Sequence, residues 1–371
     1  MKILHILNSD FGARHTMGIR SYHIFKKSSK EVSVVCRKNV SEIKENVFEP
    51  SIIFYFLSRG IQMLRMLWKP FEKLKRIESF IFNSFCKKQI LKNDVIHFFY
   101  RSEILFDYAI SKNKYIIIEG FTHPKEIKNL ELNGMQLDDL NFKIDHNELN
   151  CYEKSDLIIS PSKWVSQTLK LNNLHNKVNE VLYGVDKNVK DFHYVEQEKI
   201  KICFAGGIKR TKGILNLLEA WRDLPDSIHD QLELHLYGRM YNEIKAEFNK
   251  LKRENVFYHG FENNIQNIYL DKQIYVFPSY FEGCSKTVLE ALSFGLTVIT
   301  TFNSGSPIEN DKNGIIVEVG SSESIAKALL RLIENKELLK KLSIAGYQLS
   351  RKLSWSEYSK NVNNLYVDCL K

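Results

Sequence analysis

At 371 residues the chain exceeds one ordinary hydrophobic core, so two domains are expected. With 44% hydrophobic and 12% aromatic residues it has the composition of a globular protein, not of a disordered or fibrous one. The net charge of +9 suits an acidic partner or surface, and six cysteines without a CxxC pair set aside a disulfide framework and a zinc site and fit a reducing cytosol.

The opening run Ile3–Leu7 is interrupted by His5 and is too short for a secretory leader; it reads as a buried strand. A loop from Asn8 to Gly18, a helix over Ile19–Lys27 and a strand over Glu31–Cys36 follow. This is a βαβ opening without G-x-G-x-x-G, so a dinucleotide cofactor is not indicated. The most apolar window, Ile52 to Trp68, holds Arg59 and Arg65 and is not a membrane span.

Residues 59–92 carry nine positive charges and two negative ones, interleaved with Trp68, Phe71, Phe80 and Phe85. A basic amphipathic helix of this kind suits the surface of an anionic membrane; the alternative is a domain helix whose apolar face joins the core. Nucleic acid is not expected, because no helix-turn-helix, zinc or RNA-binding signature accompanies the charge.

Asp94–Phe99 and Tyr115–Ile118 read as further buried strands, the second leading into Glu119 and, four residues later, His123. A polar cluster at the end of a parallel strand is where α/β proteins place ligands. Leu157–Ser160 is a strand, Ser162 an N-cap and Lys163–Leu169 a helix, followed by a strand over Val178–Leu182. The charged, weakly periodic stretch 187–199 marks a domain boundary, giving expected domains at 1–190 and 191–350 with a closing helix over 351–371.

Ile200–Phe204 opens the second domain and runs into the small-residue turn Ala205-Gly206-Gly207, the cations Lys209, Arg210 and Lys212, and a helix over Ile214–Trp221. The G-x4-G-K-[ST] spacing of a P-loop is absent, but Lys212 and Arg210 are placed to neutralise a diphosphate. Strands are expected at Leu232–Tyr237 and Val256–His259.

The most informative stretch is 273–301, QIYVFPSYFEGCSKTVLEALSFGLTVITT. A β-rich run to Phe277 stops at Pro278. A helix from Ser285 to Phe294 presents Val288, Leu289, Leu292 and Phe294 on one face, Gly295 ends it, and Leu296–Thr301 is a second strand. The first-turn amides of Cys284, Ser285, Lys286 and Thr287 would form an anion site at the positive end of the helix, and Gly283 would let a ligand approach the backbone. Glu282 lies just before that site and Glu290 eight residues on, so a phosphate bound there would have a carboxylate on either side. Helices over Ser321–Asn335 and Leu353–Leu370 close the chain.

The segment from Pro278 to Thr301 resembles the E-x7-E signature of glycosyltransferase family 4, retaining enzymes of the GT-B fold. The resemblance implies an α/β protein of two Rossmann-like domains facing across a cleft, with a C-terminal helix crossing back to the first. It implies a donor sugar held by Glu282 and a nucleotide ribose held by Glu290, with the base in the loop after Gly260-Phe261. The family turn G-R-x4-K-G matches Lys212, but its Arg falls on Gly207. A family His near the donor sugar aligns with Glu119, which leaves His123 as the preferred candidate for that role. Gly12, Arg14 and His15, in the loop that lines the family's cleft, are the acceptor-side candidates.

The expected activity is transfer of a hexosyl group, with retention, from a UDP-sugar, or secondarily a GDP-sugar, to a glycan or lipid-linked acceptor in bacterial surface polysaccharide assembly. Lys212, Arg210 and the 284–287 helix start would stabilise the leaving diphosphate, so no metal cofactor is expected, and the chain contains no D-x-D. Location is expected in the cytoplasm, at the inner face of the membrane. The alternatives are a sugar-nucleotide 2-epimerase of the same fold and a non-catalytic sugar-nucleotide-binding scaffold, to which the departures at Gly207 and Glu119 lend some weight.

Overall fold

Parallel strands covered by helices on both faces must be buried on both faces, and the inner strands of this chain follow that rule while edge strands such as Val256–Gly260 do not. The computed structural model describes residues 1–13, 17–50, 72–120, 144, 146–186, 192, 194, 196–251 and 253–369, with backbone only at 72–78 and 243. The first sheet comprises β1 (Lys2–Ile6), β2 (Glu31–Val35), β3 (Val47–Phe48), β4 (Val95–Phe98), β5 (Tyr115–Glu119), β6 (Leu157–Ser160) and β7 (Val178–Glu180). They pair in the order β3-β2-β1-β4-β5-β6-β7, every pair parallel. The helices between them are α1 (Gly18–Lys27), α2 (Glu72–Ile90), α3 (Glu103–Ser111), α4 (His146–Lys154) and α5 (Lys163–Leu171).

The second sheet comprises β8 (Ile200–Ala205), β9 (Leu232–Tyr237), β10 (Val256–Gly260), β11 (Ile274–Phe277), β12 (Thr297–Thr301) and β13 (Ile315–Val317), in the order β10-β9-β8-β11-β12-β13, again all parallel. Its helices are α6 (Ile214–Arg222), α7 (Asp226–His229), α8 (Lys245–Leu251), α9 (Ile265–Tyr269), α10 (Lys286–Ser293), α11 (Ser322–Glu334) and α12 (Lys336–Lys352). Each sheet reverses direction once, between β1 and β4 and between β8 and β11. In such sheets ligands bind beyond the carboxyl ends of the strands at that reversal.

The strand expected at 274–277 is Ile274–Phe277, buried throughout, and Gly295 ends α10 at φ +81° as read from the sequence. β3 and β13, edge strands of two and three residues, have no counterpart among the expected elements. The domain boundary expected within 187–199 falls partly outside the described residues; the sheets divide between Glu180 and Ile200.

The last helix, α13 (Trp355–Asp368), returns to the first domain. Tyr358, Val362 and Tyr366, one helical turn apart, are fully buried among Ile3, Val34, Phe99 and Ile117. The outgoing and returning chains cross side by side: Val185 N–H donates to the Leu353 carbonyl at 3.0 Å, and a methyl on Gly184 would lie 2.4 Å from the Trp355 nitrogen.

Of the basic segment 59–92, residues 59–71 lie outside the described residues. The remainder forms α2, whose Phe82, Cys86 and Ile90 lie one turn apart in the core of the first domain. Phe80 and Ile81 remain exposed on the same helix as Lys87 and Lys88. This part of the segment is thus a domain helix with a core face, as the alternative reading held. Among the described residues no helix is long and apolar enough to cross a membrane.

One residue holds both domains. Ser162 caps α5, accepting from Val165 N–H at 3.2 Å, and donates its hydroxyl to the Gly283 carbonyl across the cleft at 2.6 Å. Ser162→Ala is expected to cost about 0.5–2 kcal/mol in a denaturant titration, because it loses the cap.

Candidate active site

A cavity of about 830 Å³ opens between the two sheets. Its second-domain wall consists of strand exits: Ala205-Gly206-Gly207 after β8, Gly238-Arg239 after β9, Phe261-Glu262-Asn263 after β10 and the start of α10 after β11. The facing wall comes from the first domain, with Ser9, Met17, Arg20, Tyr183 and Gly184, and from Trp355 of α13. The cleft therefore lies where the strand order of the second sheet reverses.

The backbones at the floor approach as only glycine permits. A methyl on Gly238, at φ +134°, would sit 1.8 Å from the Gly206 carbonyl oxygen. A methyl on Gly213, at φ +70°, would sit 2.1 Å from the Pro278 carbonyl oxygen. The turn after β8 is thereby pressed onto the loop after β11. Tyr280 N–H and the Ser279 hydroxyl both donate to the Thr211 carbonyl, at 3.0 and 3.1 Å.

That packing joins two of the residues singled out in the sequence: the Lys212 ammonium is ion-paired with the Glu282 carboxylate, beside the cavity and not among the residues that line it. Glu290 is a buried side chain on the cavity wall, not a solvated one. It accepts from the Tyr269 hydroxyl at 3.3 Å and pairs with Lys286 one turn back at 3.4 Å. Cys284, Lys286 and Thr287 line the cavity at the start of α10, where helix amides and dipole favour an anion. The half-buried Cys284 thiol is pushed up to about 12, chiefly by desolvation, and stays protonated.

Three expectations, on Ser285, Arg210 and Gly12, need correction. Ser285 N–H is not an open donor: it is the N-cap residue of α10 and donates to the Ser304 carbonyl at 3.0 Å. Arg210 turns to Glu247 at 2.5 Å and does not line the cavity. Gly12 packs on Ser41, whose Cβ would lie 2.8 Å from an added methyl, and lines no part of the cavity. Glu119, passed over in favour of His123 in the sequence, does not face the cleft: it is buried against Arg20 at 2.5 Å and accepts from the Tyr358 hydroxyl at 3.1 Å. Arg14, His15 and His123 lie outside the described residues.

The Glu119 cluster is a structural centre just behind the cleft wall. Arg20 also donates to the Tyr183 hydroxyl and lies over that ring at 4.7 Å, so the cleft-facing Tyr183 is held by a buried ion pair. His97 Nε2 stands 3.3 Å from Glu119 but is not aligned for a hydrogen bond, while its Nδ1 is 2.7 Å from the Tyr366 hydroxyl. Burial keeps His97 below its ordinary value, hence neutral near pH 7.

Arg239, Tyr269 and Trp355 line the cavity and were not singled out in the sequence. Arg239 follows a strand whose end was read correctly, so the strand-end rule could have found it. Trp355 stacks on His23 at 4.5 Å, a pairing across most of the chain that no local pattern reveals. Among the described residues no group of three His, Cys, Asp or Glu is placed to hold a metal ion.

Residues 186–349 match the family model described as glycosyl transferases group 1. The chain is 27% identical over 208 residues to an uncharacterized glycosyltransferase of Methanocaldococcus jannaschii, covering 51% of this chain and 52% of that one. It is 24% identical over 175 residues to the poly(glycerol-phosphate) alpha-glucosyltransferase of Bacillus subtilis, covering 45% and 26%. The chain thus spans about half the length, or less, of these two curated relatives. Among solved structures, Anabaena HepE in complex with UDP superposes with a TM-score of 0.69 at 13% identity, over 99% of this chain and 100% of that one. The lipopolysaccharide outer core galactosyltransferase WaaB gives 0.69 at 16% identity, over 99% of each chain. The chain has the GT-B fold, and its residues 186–349 are similar to the glycosyl transferases group 1.

Proposed function

We propose that the protein is a retaining glycosyltransferase that moves a hexosyl group from a nucleotide diphosphate sugar to a hydroxyl of a glycan or lipid-linked acceptor, in surface polysaccharide assembly. The observation that carries this reading is the cavity at the strand-order reversal, with the start of α10 as its anion site and Glu290 in its wall. UDP is the favoured nucleotide; relatives in fold include a protein solved with UDP.

In this reading the diphosphate sits at the start of α10, the ribose against Glu290 and the sugar toward Glu282. The bond between the sugar and the diphosphate breaks as the acceptor oxygen bonds to the same face, and the acceptor proton passes to the departing phosphate oxygen. Helix amides and basic side chains stabilise the charge that develops on the diphosphate, without need of a metal ion. Glu282 holds sugar hydroxyls and shields the cationic centre. His123 remains the proposed partner of the donor sugar, and Arg14 and His15 of the acceptor. The protein would work in the cytoplasm, with Phe80, Ile81, Lys87 and Lys88 of α2 offering a site for peripheral contact with an anionic membrane.

The test is incubation with a panel of UDP- and GDP-sugars, with and without glycan acceptors, followed by NMR of the product anomer. Acceptor-dependent release of nucleoside diphosphate with the donor configuration kept is the expected result. Conversion of the donor to its 2-epimer without acceptor would make it an epimerase, and nucleotide binding without turnover of any donor a scaffold.

A further inference from the structure

We infer that Arg239 is a further residue whose side chain binds the donor's phosphates, supplying charge beyond what Lys212, in the turn after β8, delivers. This rests on the nucleotide-sugar reading above. A bound diphosphate carries more negative charge than one helix start, worth about half a unit charge, can balance. Side-chain cations are therefore required, and most of those nearby are committed elsewhere. Lys212 is paired with Glu282, Arg210 with Glu247, Lys286 with Glu290, and Arg20 with the buried Glu119. Among the described residues, Arg239 is the cavity-lining Arg or Lys that has no salt bridge.

Its position is fixed by the backbone. Ile208 N–H donates to the Arg239 carbonyl at 2.9 Å and Tyr241 N–H to the Ile208 carbonyl at 3.1 Å, so the exits of β8 and β9 run as a short parallel pair beside Gly207. On the other side, Gly238 N–H donates to the Gly260 carbonyl at 2.6 Å, and the Tyr258 hydroxyl bridges the Met240 amide and the Gly238 carbonyl at 3.3 and 3.1 Å. With Gly238 against Gly206, the segment has no room to shift. The Arg239 side chain is exposed at the mouth of the cavity, its guanidinium 6.0 Å from the centre of the Tyr241 ring. A planar fork in that place suits bidentate contact with phosphate oxygens.

The test is calorimetric titration of UDP into the wild type, Arg239→Ala, Arg239→Lys and, as a control outside the cavity, Arg210→Ala, each at several salt concentrations. Because Arg239 is exposed, the variants should keep the wild-type melting temperature. Arg239→Ala is expected to weaken UDP binding about ten- to a hundred-fold and to make it less salt-dependent. Arg239→Lys should recover part of the affinity. An Arg239→Ala affinity within twofold of wild type, or a loss with unchanged salt dependence, would overturn the inference while leaving the transferase reading in place. A wild type that binds no nucleoside diphosphate would overturn both.

Discussion

Glu119→Gln is expected to lower folding stability by about 3–5 kcal/mol, because it leaves the buried Arg20 without its counter-ion. Arg20 is 4% exposed and Glu119 1%, so solvent cannot take over either charge. Burial by itself would raise the Glu119 carboxyl, but Arg20, with the Tyr358 hydroxyl in support, outweighs it and holds the group below the ordinary carboxylate value. A carboxyl depressed in the folded state contributes stability that is complete above its unfolded value, about 4.3, and is lost as pH falls through the folded one. The gap between wild type and Glu119→Gln in urea titrations should therefore be full at pH 7 and narrow below about pH 4. The double variant Arg20→Met/Glu119→Leu removes both charges and should recover much of the loss, as replacing a buried pair by apolar groups commonly does. If Glu119→Gln costs no more than an exposed substitution, the cluster does not anchor α13 to the first domain as described.

Glu282→Gln is expected to reduce turnover by about a hundred- to a thousand-fold, the scale of removing one electrostatic partner of a transition state. The same change frees Lys212, which the structure ties to Glu282. UDP affinity should accordingly hold or improve while kcat falls, and this split distinguishes a group that acts on the sugar from one that holds the nucleotide. Lys212→Met should show the converse bias, weakening UDP binding as well as turnover. Steady-state kinetics together with UDP titration check both. Unchanged kcat in a folded Glu282→Gln protein would remove Glu282 from the reaction.

The central unit was legible because its signals are local. Pro278, the apolar spacing of 288–294 and Gly295 all act within a few residues, and β11, α10 and β12 formed within one residue of the expected bounds. The alternation of apolar runs and helices likewise revealed two parallel sheets, though not the short edge strands β3 and β13, whose two and three residues carry almost no pattern. What escaped depends on distant partners. Nothing near Glu119 announces that Arg20, on the first helix, will bury it, or that Tyr358, near the end of the chain, will donate to it. Arg210 looked like a phosphate ligand by its place in the turn, yet Glu247 on α8 draws it away. Ser285 lost its open amide to Ser304, on the far side of the βαβ unit. Arg239 was overlooked because a single cation after a strand is common, and only the pairing of the β8 and β9 exits shows where it stands.

The claim that underlies the rest is that the cavity beside α10 is a nucleoside diphosphate site. Titration of UDP and GDP into the wild type and Glu290→Ala tests it most directly. The account predicts one site per chain, selective for one of the two nucleotides and weakened at least tenfold by Glu290→Ala, since that change removes the carboxylate proposed to hold the ribose hydroxyls. Absence of binding by either nucleotide, or equal affinity in the wild type and the variant, would contradict it.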